Sequence, residues 1–108
     1  MRIVGIDPGK NGGITCLWNG EVYQSTVPKF KGTQEVDIRS FVSILEELVD
    51  TKDPVHIFIE QVHAIFGSSS KATFNFGYIC GVLEGVVATL NCAYTYVQPK
   101  TWQKVCFL

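Results

Sequence analysis

Two acidic residues stand where apolar runs end. Asp7 closes Arg2-Ile3-Val4-Gly5-Ile6, and Glu60 closes Val55-His56-Ile57-Phe58-Ile59. Short β-forming runs of this kind read as strands covered on both faces. Open α/β sheets gather their ligands at the carboxyl ends of such strands. If the two strands are adjacent and parallel, both carboxylates fall at one sheet edge. Two bare carboxylates that close repel, and one must hold a proton unless a cation sits between them. Their oxygens suit a hard divalent cation such as Mg²⁺, and paired ions of this type assist displacement at a phosphodiester. The plain alternative for Asp7-Pro8-Gly9 is a turn that merely ends a strand. The second acid moves the balance to a metal site.

The elements that must position these acids follow from the pattern around them. Gly13 to Trp18 reads as a second strand, and Asn19-Gly20 as a tight type I′ hairpin turn,. Glu21 to Val27 returns as a third strand, with Val22, Tyr23 and Val27 as its packing residues, and Pro28 ends it. Lys29, Phe30, Lys31 and Gly32 form a loop. Asp37 is an N-cap for a helix whose Ile38, Phe41, Val42, Leu45, Leu48 and Val49 recur at three- and four-residue steps,. Asp53-Pro54 breaks it. The fourth strand ends at Glu60, and Gln61 to Ser70 reads as a mobile loop. His56, inside that strand, is a core or sheet-face histidine rather than a ligand. A second helix over about Lys71 to Leu90 carries the stripe Ile79, Val82, Leu83, Val86, Val87 and Leu90, with Asn91 as a left-handed cap,. It also carries Gly77, Gly81 and Gly85, which together cost a helix about 2–3 kcal/mol relative to alanine. Close packing must offset that, on the chain's own sheet or on a partner subunit. With few polar residues left for solvent, the helix is expected to be covered on two sides. Ala93 to Gln98 is a fifth strand, and Pro99 opens a helix that is still incomplete at Leu108.

The order β-β-β-α-β-α-β describes one α/β domain over 1–108 with a mixed five-stranded sheet flanked by helices. A right-handed crossover through the first helix lays the fourth strand parallel to the first. At 108 residues, 46% hydrophobic and 18% charged, the chain has the composition of a folded core,. A net charge of −1 argues against bulk polyanion binding,. Cys16, Cys80, Cys92 and Cys106 form no CxxC and no Cys/His cluster, so zinc is not expected; they read as reduced, buried thiols of a reducing compartment,. Asp7 interrupts the N-terminal run too early for a signal peptide. The apolar stretch Tyr78–Leu90 contains Glu84 and is too short to span a bilayer. The glycine turn lacks the GxGxxG spacing and GK[ST] ending and leads into a strand, so no nucleotide cofactor is expected.

Gly5-Ile6-Asp7-Pro8-Gly9, then Ile59-Glu60-Gln61-Val62, then Pro99 to Lys104 after a fifth strand, resemble the RuvC-type Holliday-junction resolvases, most closely their phage-type relatives. The resemblance covers essentially the whole chain and implies a ribonuclease H-like fold. It also implies a homodimer in the cytoplasm of a bacterial or phage-infected cell, and cleavage of four-way DNA junctions with Mg²⁺ or Mn²⁺. Carried over by position, Asp7 and Glu60 are the catalytic, metal-binding carboxylates. His63 stands where the family places an aromatic wedge, with Phe66 three residues on. Lys10, Lys100 and Lys104 are the expected basic DNA contacts, and the helix bearing Gly77, Gly81 and Gly85 resembles the dimer helix.

The family's final helix carries one or two further aspartates, whereas no acid follows Glu84 in this sequence. Glu84 itself, in mid-helix, has no evident reason to reach the site. The chain is thus expected to be a fragment of a longer enzyme, a truncated and inactive relative, or one whose last helix comes from elsewhere. A non-catalytic DNA-binding or dimerisation module of the same fold is the alternative. An actin- or sugar-kinase-like nucleotide binder also begins with a strand, Asp and Gly, but needs far more chain.

Overall fold

A computed structural model of the chain describes residues 1–8, 12–61 and 69–98. Strands β1 (Arg2–Asp7), β2 (Gly13–Trp18) and β3 (Glu21–Thr26) are followed by helix α1 (Ile38–Val49), strand β4 (Val55–Glu60), helix α2 (Ser70–Thr89) and strand β5 (Ala93–Val97). The five strands form one sheet in the order β3-β2-β1-β4-β5. β1 pairs antiparallel with β2, and β2 with β3, while β1 with β4 and β4 with β5 are parallel. The expected mixed sheet and element order are thus present. Asn19 (φ 50°) and Gly20 (φ 79°) make the hairpin turn, since a type I′ turn needs both central residues left-handed.

Strand alternation divides the sheet into two faces. Val4, Ile6, Ile14, Cys16, Ile57 and Ile59 are buried together with Phe41 and Leu45 of α1 and Ile79, Leu83, Val86 and Val87 of α2. Both described helices therefore serve one core on one face. The opposite face presents Ile3, Leu17, His56 and Phe58, all half-buried. Arg2 lies on the helix side, donating to the Leu48 carbonyl (2.7 Å) and stacking over Trp18 (4.4 Å). α1 begins as expected, with Asp37 accepting from the Ser40 amide (3.2 Å) and hydroxyl (2.7 Å).

Three local expectations are corrected. Val22 and Tyr23 do not pack: they are 60% and 45% exposed, and only Val27 beyond the strand end is buried. β3 is the sheet edge, outside the area the helices cover. Ser69 and Ser70 are not loop. Ser69 caps α2 by accepting from the Ala72 amide (3.1 Å), and Ser70 is its first residue; residues 62–68 lie outside the described set. Asn91 is not a left-handed cap. α2 ends at Leu90 in extended conformation, because the Thr89 hydroxyl (2.6 Å) and the Leu90 amide (3.0 Å) already satisfy the Val86 and Val87 carbonyls.

At 20 residues α2 is longer than the apolar stretch read from sequence. By length and composition only, it is the one described helix that could cross a membrane. Its Ile79, Leu83, Val86 and Val87 are instead buried against the sheet, which is how a core helix uses an apolar stripe.

Candidate metal centre

β1 and β4 run side by side with Ile6 opposite Ile59, so the next residue of each, Asp7 and Glu60, falls at the shared carboxyl edge. Neighbouring strands lie about 4.8 Å apart. Both acids alternate away from the helix-covered core and are half-buried. Neighbours on both sides hold them in register. Asp7 is paired with Gly13 of β2, and Glu60 with Val97 of β5. The Gln61 amide donates to the Val97 carbonyl (2.7 Å), carrying the ladder one step past Glu60.

The Glu60 carboxyl is pushed up to about 7, first by burial, then by its hydrogen bond to Asp7 and by the Asp7 charge. Glu60 therefore keeps its proton toward neutrality beside Asp7. A hydrogen-bonded pair of oxygen donors at one strand edge fits a hard divalent ion that can displace that proton,. The expected juxtaposition of Asp7 and Glu60 is thus present. Among the described residues no third acid, histidine or cysteine joins them in a ligand group.

Glu84 is placed differently from the sequence reading. It lines a cleft of about 190 Å³ together with Pro8, Glu60, Gln61, Cys80 and Tyr96. Tyr96 stands opposite Ile59 on the helix side of the sheet. Its hydroxyl donates to Glu84, and burial followed by that bond and charge pushes the phenol up to about 12, so it stays a donor. Glu84 has a definite partner beside the site without being a ligand of it. The four-residue step from Cys80 to Glu84 in an otherwise apolar helix was the available signal. Cys16 is buried as expected, whereas Cys80 and Cys92 are only half-buried; desolvation pushes all three thiols up, which disfavours the reactive thiolate.

His56 plays the sheet-face role expected of it: its Nε2 bonds the Thr95 hydroxyl (2.7 Å) and its ring stacks on Phe58 (4.5 Å). Lys10, His63, Phe66, Lys100 and Lys104 lie outside the described residues. Gly77, Gly81 and Gly85 all lie on the exposed side of α2, and a Cβ added at any of them meets nothing within 4 Å among the described residues. Of the two explanations for the glycines, packing on the chain's own sheet is removed.

No family model and no curated protein matches the chain. Solved structures do. Thermus thermophilus RuvC in complex with a Holliday-junction substrate aligns with a TM-score of 0.64 and 13% identity over 99% of this chain and 70% of that one. A second Thermus thermophilus RuvC structure aligns with a TM-score of 0.57 and 15% identity, over 96% and 68%. The chain has the RuvC-type, ribonuclease H-like fold.

Proposed function

We propose that this chain is a divalent-metal-dependent DNA endonuclease acting on four-way junctions, as the phage-type RuvC relatives do. The observation that carries the reading is the hydrogen-bonded pair of Asp7 and Glu60 at the end of adjacent parallel strands. These two residues would hold Mg²⁺ or Mn²⁺, which when bound supplies charge neutralisation and an activated water at the scissile phosphate. Asp7 contributes a carboxylate, and Glu60 gives up its proton to become the second. The β-ladders on either side keep both from moving apart. The likeness to a RuvC structure holding a Holliday junction supports branched DNA as the substrate, with Lys10, His63, Phe66, Lys100 and Lys104 as further contacts. The open glycine face of α2, with Phe74 beside it 75% exposed, supports a homodimer with two α2 helices facing each other. The site of action in this reading is the cytoplasm.

The absence of a third ligand among the described residues favours a second reading, a DNA-binding or dimerisation module that keeps the fold without the activity. Junction binding in Ca²⁺ compared with cleavage in Mg²⁺ separates the two. Cleavage abolished by Glu60→Gln supports the nuclease, and binding with no cleavage by any preparation supports the module.

A further inference from the structure

The segment over 28–36, between β3 and α1, is a small closed structure at the same sheet edge as the two acids. Asp7 is in register with Gly13, and Gly13 with Thr26, which puts the end of β3 two strands from Asp7, about 10 Å away. The Val27 amide then donates to the Gly12 carbonyl (3.2 Å), fastening the segment to the residue just before β2. Its two limbs pair through a Lys29–Val36 bridge, and the Asp37 amide donates to the Pro28 carbonyl (2.9 Å). The Val36 amide also donates to the Tyr78 hydroxyl of α2 (3.3 Å).

Phe30 sits at the tip with its backbone fully engaged. Its amide donates to the Glu35 carbonyl (3.0 Å), and its carbonyl accepts from both the amide (3.0 Å) and the hydroxyl (2.9 Å) of Thr33. Gly32, at φ 75°, makes the reversal possible,. Lys29 braces the two limbs by donating to Gln34 (3.0 Å). The flanking Val27 and Val36 are buried, yet Phe30 is held outward, 48% exposed. Single exposed apolar residues are common. An exposed aromatic residue whose backbone is fixed by hydrogen bonds, next to an exposed lysine and on the edge that holds the acids, has the make-up of a stacking platform.

We propose that Phe30 stacks against an unpaired or unstacked base of the bound DNA, with Lys31 on a neighbouring phosphate. This rests on the DNA reading above and adds to it a contact beyond the end of β3, which itself lies two strands from Asp7. Glu35 on the return limb cancels one of the two lysine charges, so stacking rather than charge carries the affinity. The backbone that carries the ring is already held by its own hydrogen bonds, so binding has only the side chain left to order,.

The test uses the 108-residue chain and a four-way junction with 2-aminopurine near the crossover, in Ca²⁺. Phe30→Ala weakens binding by about 5- to 150-fold and removes the stacking quench of the fluorescent base, while Phe30→Trp retains both. Lys31→Ala lowers the salt dependence of binding by about one phosphate contact, and Phe30→Ala leaves it unchanged. Wild-type affinity and quench in Phe30→Ala would overturn the contact and leave the endonuclease reading intact. Failure of the wild-type chain to bind any branched DNA, with Mn²⁺ binding through Asp7 preserved, would overturn the DNA reading and this contact with it.

Discussion

Glu60 keeps its proton to about 7, whereas an ordinary glutamate loses it near 4.5. Between those values the folded chain binds more protons than the unfolded one, so stability of the metal-free protein falls as pH rises through that window. Scanning calorimetry from pH 5 to pH 8 should show the melting temperature dropping, with the slope flattened in Glu60→Gln. The same proton must leave when a cation arrives. Mn²⁺ titrations at pH 6 should release close to one proton, read from the dependence of the apparent enthalpy on the buffer, and the release should fade above pH 8. Asp7→Asn should abolish binding; unchanged binding would remove Asp7 from the site. Both acids were legible because each closes an apolar run, a local signal. The partner of Glu84 was not, because Tyr96 comes under that carboxylate only through the β4–β5 register, which no local pattern reports.

At the scale of the element, α2 combines a packed stripe with a bare one. A Cβ at position 81 meets nothing within 4 Å among the described residues, so within one chain Gly81→Leu should help the helix by up to about 1 kcal/mol. If two copies of α2 face each other, the added side chain overpacks that contact and shifts sedimentation from dimer to monomer. Higher monomer stability with loss of the dimer is the expected joint result; a wild-type chain that sediments as a monomer would leave the glycines without a partner. α1 offers a simpler check. Asp37→Ala removes two hydrogen bonds from its first turn and should cost about 1 kcal/mol in a denaturant melt. The helices were legible from their periodicity and from Asp37. The exposure of Val22 and Tyr23 was not, since β-forming residues look the same on an edge strand as on a central one, and only the position of the helices separates them.

Across the whole molecule, the mixed sheet followed from element order and the handedness of the crossover, which was enough to put β4 beside β1. Two acids can hold one ion with waters, but they offer too few ligands to fix a second within the roughly 4 Å that two-ion chemistry needs. The 108-residue chain should accordingly cleave junctions weakly in Mg²⁺, and appending a helix that carries acids should raise the rate by orders of magnitude. Fast cleavage by the chain alone, abolished by Glu60→Gln, would show that two acids suffice. The parallel ladder that joins the acids also governs when the site comes into being. The β2–β3 hairpin closes over a two-residue turn, whereas β1 meets β4 across about fifty residues of intervening chain. Such distant pairings form slowly because their loops must close before any contact rewards them. The metal centre is therefore a late product of folding. In a refolding experiment, the hairpin should acquire amide protection first, and Mn²⁺ capture should follow in the final, slowest phase, when the two halves of the sheet are joined.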